Sequence, residues 1–220
     1  MPKAQQLQLD SKEIDWLEPI KLLIKQYKGK KHPLDYKNTF QLVVMTILSA
    51  RDSDRHINQV APKLFEAYPS MKELATANAE DLFPYIGGVV NFANKAKWLT
   101  DLAKKIKADK NIPTTLETLT ELSGIGRKSA NVILREMGKP AEGVIVDLHV
   151  VRVSPRLGIA TGTNPEKIEK QLMEKIPQKY WGDAGMSISF LGREICRPTN
   201  PKCEMCVMNS VCEYYHNLNS

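Results

Sequence analysis

Apolar residues recur along most of the chain at the three-to-four-residue spacing of amphipathic helices. The segments with this spacing are 14–27, 40–50, 54–68, 71–77, 79–85, 91–107, 116–122, 165–175 and 181–192. Segment 40–50 has polar side chains only at Gln41, Thr46 and Ser49. A helix that is apolar on nearly every side belongs in the middle of a core. The pattern therefore predicts a mostly helical protein with helix 40–50 at its centre.

Segment 143–153, with the sequence GVIVDLHVVRV, departs from this pattern. Its many β-branched residues by themselves predict a strand, although the apolar run is short enough to begin a buried helix instead. Asp147 is the only charge in its apolar part, and an acid there needs a partner or a function. Capping a helix that begins at Leu148 would also satisfy it. We interpret His149 as a hydrogen-bonded core histidine rather than a catalyst.

Two glycines, Gly124 and Gly126, lie one residue apart in LSGIGRKSANVIL, between two helical segments. Glycines there permit a tight hairpin with outward-facing amides, and a helix N-terminus directly after it is suited to hold a phosphate. A plain turn between helices would have the same pattern. Arg127 and Lys128 favour the phosphate interpretation, because cations are unfavourable at the positive end of a helix dipole without an anion or a function.

Lys128 can be interpreted in two ways. An ordinary lysine amine has a pKa of about 10.4, so only about one in a few thousand is unprotonated at neutral pH. A helix N-terminus, partial burial and the nearby Arg127 would each lower the pKa of Lys128, and such an amine can form a Schiff base. The alternative, which the residue alone favours, is a solvated lysine that contacts phosphate.

Composition and charge narrow the class of partner. The chain has 220 residues, 42% apolar and 25% charged, which is typical of a globular protein. No apolar run approaches the roughly 20 residues that span a bilayer, and no targeting segment is recognisable, so we expect a cytoplasmic protein. Lys and Arg number 31 against 25 Asp and Glu, and the resulting charge of +6 indicates a polyanionic partner, either nucleic acid or a membrane surface.

All four cysteines of the chain lie close to its C-terminal end, with the spacing C-x6-C-x2-C-x5-C. They are Cys196, Cys203, Cys206 and Cys212. Because disulfides are rare in a reducing compartment, such a cluster predicts a metal centre. The spacing leaves structural zinc and an iron–sulfur cluster both open.

The hairpin sequence, the VIVDLHVVRV segment and the cysteine spacing, in this order, resemble the endonuclease III family of helix-hairpin-helix DNA glycosylases over about residues 31–215. The resemblance implies an all-α, two-lobed fold that holds damaged double-stranded DNA in its cleft. A six-helix bundle with the hairpin would span 32–140. Residues 1–31 and 141–220 would form the other lobe, with a four-iron four-sulfur cluster on the four cysteines. The resemblance also implies an extended segment 143–147 and a helix from 148, instead of the strand that the composition of 143–153 predicts.

The resemblance implies a role for each matching residue. Lys128 matches the amine that attacks C1′ of the damaged nucleotide, and Asp147 matches the essential carboxylate, which would stabilise positive charge on the sugar. The expected DNA contacts are Arg51, Gly124, Gly126, Arg127, Arg193, Arg197 and Lys202. For the three of these around the first cysteine, ordinary surface charge is an equally good explanation.

The implied function is that of a base excision repair glycosylase with abasic-site lyase activity, a monomer that removes oxidised pyrimidines. Two departures bear on the substrate: Arg51 stands where the family has glutamine, in the loop that fills the gap of the flipped nucleotide, and segment 86–96 is about two residues longer. The alternatives are uracil or mismatched thymine as the base, or a noncatalytic DNA-binding protein with a metal. The subfamily that removes mismatched adenine is disfavoured, because its catalytic glutamate lies in the helix before this loop and helix 40–50 contains no acid.

Overall fold

The structure is a computed structural model, and it describes residues 14–218. Its helices are α1 (Leu17–Gln26), α2 (Thr39–Leu48), α3 (Asp54–Ala67), α4 (Met71–Leu74), α5 (Phe83–Ile86), α6 (Phe92–Ile106), α7 (Leu116–Thr120), α8 (Arg127–Glu136), α9 (Leu148–Leu157), α10 (Pro165–Lys175), α11 (Trp181–Glu194) and α12 (Glu213–Leu218). Short 3₁₀ helices span Ala79–Leu82, Asp109–Asn111, Gln178–Tyr180, Cys203–Met205 and Asn209–Val211. Because this range contains no strand, the predicted all-α class is confirmed.

Side-chain caps fix the starts of several helices. Asn38 accepts a hydrogen bond from the Gln41 amide at 2.9 Å before α2, and Ser53 accepts one from the His56 amide at 3.1 Å before α3. Replacing such a cap by alanine typically costs about 1 kcal/mol. Two predicted helices are shorter than expected. Segment 71–77 forms only α4, and segment 79–85 divides into a 3₁₀ helix and α5 at a proline, which has no amide to donate.

Two clusters of buried apolar side chains form the core. The first contains side chains of residues 34–134, from α2 to α8, and the second combines Trp16 and α1 with residues 144–212 and with Val132 of α8. In α2, the side chains at Phe40 and at every position of 42–48 are buried, so this helix occupies the centre of the first cluster, as predicted. The lobe boundaries at 32–140 stay a proposal, which the membership of the two clusters supports; residues 1–13 lie outside the described range.

The strand that composition alone favours over 143–153 is wrong. Residues 144–147 belong to no helix and no strand, the backbone of Asp147 is extended, and α9 begins directly after it. The β-branched side chains before Asp147 are buried because α11 packs closely over them. A Cβ added at Gly185 of α11 would lie 2.6 Å from the carbonyl oxygen of Ile145, so only glycine permits this approach. Burial against a helix, rather than strand pairing, explains the composition.

Within residues 14–218, every helix is too short or too polar to cross a membrane.

Candidate active site and metal centre

The N-terminal ends of α8 and α9 meet at one cleft between the two apolar clusters. Lys128, in the first turn of α8, and Asp147, the N-cap of α9, both line it, together with Asp54 of α3 and Arg193 of α11. The cleft opens to solvent and has a volume of about 1030 Å³, at the upper end of the roughly 300–1,000 Å³ that pockets for small molecules usually measure.

Lys128 combines access to solvent with a desolvated amine. Its side chain is exposed at the cleft surface, but protein atoms surround the amine on most sides. This partial loss of water lowers the pKa of Lys128; Asp147 and Asp54 act in the opposite direction, and Arg193 lowers it further. The sequence had suggested Arg127 as the arginine with this effect. A lowered pKa increases the unprotonated fraction that can act as a nucleophile.

Asp147 is held by hydrogen bonds at both carboxylate oxygens. Oδ1 accepts from the amides of His149 and Val150, each at 2.9 Å, and Oδ2 accepts from the Ser189 hydroxyl at 2.6 Å. Arg193 Nη2 lies 3.9 Å from Oδ2. The structural and functional interpretations of Asp147 are thus compatible, because the cap fixes the carboxylate where it faces the cleft.

Sequence reasoning missed Ser189. Its position as one of few polar residues in the apolar middle of α11 was the available signal.

Arg193 belongs to the cleft rather than to a cysteine loop. Its Nη1 donates to Asp54 Oδ2 at 2.9 Å, and this ion pair links α11 to α3. Arg197 and Lys202 are exposed and are not among the side chains that line the cleft. Of the three basic residues around the first cysteine, only Arg193 is therefore placed beside Lys128 and Asp147.

The hairpin glycines have different structural reasons. Gly124 has a φ of +82°, and a Cβ there would lie 2.9 Å from Trp98 Cε3. Both the left-handed backbone and the close contact with Trp98 therefore require glycine. Gly126 caps α8 without a side chain, and a Cβ on it would meet no atom within 4 Å. The first amides of α8 therefore open to a surface that a phosphate can approach. Arg127 is engaged elsewhere, since its Nε donates to Glu169 Oε2 at 2.7 Å.

His149 lies half-buried on the cleft wall rather than in the core. Its Nδ1 is 3.3 Å from Arg152 Nη2, so the expected hydrogen bond is present. Burial is the main cause that lowers the pKa of His149, with Asp147 opposing it. The ring therefore stays neutral at neutral pH.

Arg51 lies exposed at the rim of the cleft, with a left-handed φ of 61°. The loop that carries it, residues 49–53, is fixed by two charged residues that sequence reasoning missed. Lys95 of α6 is 1% exposed, and its Nζ donates to the carbonyl oxygens of Leu48 and Ala50, each at 2.7 Å. Asp52 Oδ2 accepts from the amide of Val90 at 3.0 Å. The Arg51 loop is thereby joined to the longer segment 86–96.

All four cysteine side chains line one small cavity, whose other walls are mainly apolar. Within residues 14–218, no three His, Cys, Asp or Glu side chains converge closely enough to hold a single metal ion. Burial raises the pKa of the Cys206 thiol to about 11. Its thiolate form therefore needs a positively charged group beside it. The four cysteines are therefore candidates to hold a metal group together, as thiolates do in metal centres.

Two arginines one helical turn apart on α9 hold the start of the cysteine segment, residues 196–212. Arg152 donates to the carbonyl oxygens of Gly192 and Cys196, at 2.8 and 3.1 Å. Arg156 donates to those of Arg197 and Pro198, at 2.8 and 3.1 Å. Both arginines were missed, because their partners lie about forty residues away along the chain.

Comparison with known proteins gives a consistent result. Residues 44–178 match the family model of the HhH-GPD superfamily base excision DNA repair proteins. The chain is 38% identical to endonuclease III of Synechocystis sp. over 197 residues, covering 89% of this chain and 90% of that protein. It is 36% identical to endonuclease III of Thermotoga maritima, covering 84% of this chain and 89% of that protein.

Solved structures show the same likeness. A trapped endonuclease III–DNA covalent intermediate superposes with a TM-score of 0.81 at 29% identity, covering 92% of this chain and 96% of that one. A non-covalent endonuclease III–DNA complex gives a TM-score of 0.80 at 30% identity, with 91% and 94% coverage. The chain therefore belongs to the endonuclease III family of the HhH-GPD superfamily, and it is a base excision repair enzyme with DNA glycosylase and abasic-site lyase activity.

Proposed function

We propose that the protein removes oxidised pyrimidines from duplex DNA and then cleaves the abasic strand, with Lys128 as nucleophile and Asp147 as the stabilising carboxylate. The observation that carries this proposal is the cleft in which both side chains meet, where burial lowers the pKa of Lys128 and three hydrogen bonds fix Asp147. The trapped covalent intermediate of a related endonuclease III supports a covalent route.

The chemistry requires the two residues to act on one sugar. As the bond from C1′ to the base nitrogen breaks, its electron pair leaves with the base, and the positive charge that develops on the sugar is stabilised by the Asp147 carboxylate. The unprotonated Lys128 amine bonds to C1′, and ring opening gives an imine. The imine makes the C2′ protons acidic, so loss of one of them expels the 3′ phosphate by β-elimination. The nucleotide must leave the duplex first, which costs a few kcal/mol and least for a damaged base.

The DNA contacts that we propose follow the same cleft. The amides around Gly124 and Gly126 would bind backbone phosphate, which positions the duplex without sequence preference. Arg51 would fill the gap left by the extruded nucleotide, and Arg193 would leave Asp54 to contact phosphate. Arg127, held by Glu169, would orient α8 rather than bind DNA directly. We propose that the chain acts on DNA as a monomer.

We also propose that Cys196, Cys203, Cys206 and Cys212 hold a four-iron four-sulfur cluster. Within residues 14–218 no three of the thiols converge on one point as the ligands of a single ion would, which favours the cluster over structural zinc. The cluster would supply a covalent cross-link that fixes the cysteine segment. Each step of the reaction on DNA is assigned to the side chains of the cleft. A yellow-brown preparation that contains iron is the expected result, and a colourless one with stoichiometric zinc would contradict it.

The central test is covalent trapping with borohydride on duplex DNA that contains an abasic site. The wild-type protein should form an adduct, because borohydride reduces the imine between the Lys128 nitrogen and C1′ to a stable secondary amine, and Lys128→Ala, which cannot form this imine, should form none. Asp147→Asn should slow base release by about a hundredfold or more, as removal of an electrostatic catalytic group does. An undiminished adduct in Lys128→Ala would contradict the assignment. A panel of duplexes with oxidised pyrimidines, uracil and mismatched thymine separates the alternative bases.

A further inference from the structure

Glu169 of α10 is a buried carboxylate that has no role in the chemistry described above. The residue is 6% exposed, and it accepts two hydrogen bonds from α8. Its Oε2 accepts from Arg127 Nε at 2.7 Å, and its Oε1 accepts from Asn131 Nδ2 at 3.2 Å. Burying a carboxylate is unfavourable unless such partners surround it. One acid of α10, a helix of the second apolar cluster, is therefore joined at two points to the helix that carries Lys128.

These two hydrogen bonds fix the first turn of α8. Arg127 and Asn131 are four residues apart, so they lie on the same face of the helix. Residues 127–129 are exposed or half-buried, and the buried side chains of α8 begin only at Ala130. The attachment through Arg127 therefore matters most in this turn. Because successive residues are about 100° apart around a helix, the rotation of α8 that Glu169 fixes also sets the direction of Lys128.

Glu169 also packs against the segment that leads to Asp147. Gly143 is buried, and a Cβ on it would overlap Glu169 Oε1 and would lie 2.7 Å from Asn131 Nδ2 and 3.1 Å from Arg127 Nη2. The three side chains thus cover the backbone of Gly143, four residues before Asp147. We call Glu169, Arg127 and Asn131 the Glu169 clamp. The clamp contacts both chain segments that bring a reacting group to the cleft.

We propose that Glu169 is a positioning residue, which holds Lys128 at the distance and direction from Asp147 that attack on C1′ requires. This inference rests on the proposed glycosylase and lyase function. Misplacing a catalytic group by about 1 Å can lower a rate on the order of a hundredfold. Within the described residues, the buried Asn131 Oδ1 has no hydrogen-bond partner, so the clamp includes a polar atom that lowers stability. A role in placing Lys128 explains why a polar group occupies this position.

The experiment measures imine formation on duplex DNA with a preformed abasic site, with enzyme in excess and borohydride as the trap. Glu169→Ala should lower the rate constant about tenfold to a hundredfold, while the final yield of adduct stays at the wild-type level. A purely structural defect would lower the yield instead, because fewer molecules would be folded. Affinity for a duplex with a stable abasic-site analogue should equal that of Glu174→Ala. This control removes an exposed glutamate of the same helix, so it changes the net charge equally, and its rate constant should match the wild type.

Glu169→Gln is the conservative variant, and it should recover most of the wild-type rate constant. Its amide oxygen can accept from Arg127, and its N–H can donate to Asn131 Oδ1 once the Asn131 amide turns over. Gly143→Ala displaces the carboxylate without changing any charge, so it should slow imine formation as Glu169→Ala does. It also provides the measurement if Glu169→Ala does not fold.

The opposite results separate this inference from the proposed function. If Glu169→Ala and Gly143→Ala form the imine at the wild-type rate constant, Glu169 does not position Lys128. The same conclusion follows if both variants lose yield rather than rate, or if Glu169→Gln is as slow as Glu169→Ala. If the wild type itself forms no adduct, the proposed function is wrong.

Discussion

The Arg51 loop (49–53) and the cysteine segment (196–212) are both irregular, and both are held by cations that donate to backbone carbonyl oxygens. In the Arg51 loop the cation is Lys95, which reaches the end of α2 from within the first apolar cluster. In the cysteine segment the cations are Arg152 and Arg156 of α9. In each case the charge satisfies carbonyl groups that a helix end or a turn leaves without partners.

The two regions differ in how completely the protein holds them. The Arg51 loop is fixed at both ends, by Lys95 and by the bond from the Val90 amide to Asp52. In the cysteine segment, the arginines bind carbonyl oxygens only up to Pro198, and residues 203–212 contain two single-turn 3₁₀ helices around an apolar cavity. The comparison suggests that protein contacts alone specify the loop, whereas the segment also depends on the group that its thiolates bind.

The largest effect is expected from Cys206→Ser. Loss of one thiolate should release the cluster, and because the binding energy of such a group is also folding energy, the free energy of unfolding should fall on the order of 5 kcal/mol. Visible absorbance and limited proteolysis check this, with new cleavage expected inside 196–212 and none in the Arg51 loop. Ser210→Ala, in the same segment, is the control. If the variant loses its colour but segment 196–212 still resists proteolysis, the cysteine segment does not depend on a bound group any more than the Arg51 loop does.

A smaller but substantial effect is expected from Lys95→Met. The change leaves two carbonyl groups at the end of α2 without their donor, which should lower the free energy of unfolding by about 3 kcal/mol. Urea denaturation measures it, and Lys97→Met, an exposed lysine of the same helix, should change the free energy little. If both variants are equally stable, Lys95 does not hold the loop.

Arg156→Lys tests the contribution of the guanidinium group. Lysine keeps the charge but cannot donate to Arg197 and Pro198 together, and it loses the planar contact with the Tyr214 ring, 4.7 Å away. We expect a loss of about 1–2 kcal/mol. The colour should also fade faster in the presence of an iron chelator. A variant that keeps the wild-type fading rate would show that the segment needs only the cluster.

The smallest effect is expected from the link between Asp52 and Val90. Burial tends to raise the pKa of Asp52, but the amides of Val90 and Ser53 and the ring of His56 together hold it below its ordinary value of 3.8. When the pKa of a carboxyl is lower in the folded state than in the unfolded state, its charge stabilises the fold fully at pH values above the unfolded pKa. This stabilisation is lost as the pH falls through the folded pKa. The difference in stability between the wild type and Asp52→Asn, about 1 kcal/mol at neutral pH, should therefore vanish only below pH 3.8.

Unfolding measurements at a series of pH values check this, together with hydrogen exchange at the Val90 amide. A stability difference that disappears well above the ordinary aspartate pKa would show that another group forms the link.

Much of the site was predictable from local sequence. The hairpin, the placement of Lys128 in the first turn of α8 and the cap at Asp147 each depend on residues within a few positions of one another. The strand prediction over 143–153 failed because it depended on distant residues. β-branched side chains are equally suited to burial in a sheet or against a helix. Only the approach of α11, through Gly185, decided between them.

Most of the helices, the hairpin, the cysteine spacing and the family resemblance could be predicted from the sequence alone, since these depend on short-range spacing. The tertiary structure alone decided that Ser189 fixes Asp147, that Lys95 holds the Arg51 loop, and that Arg193 faces Lys128 across the cleft. These pairs of residues lie 42 to 65 positions apart in the sequence. The energy of a buried polar group depends on its partner, and only the fold brings such distant partners together.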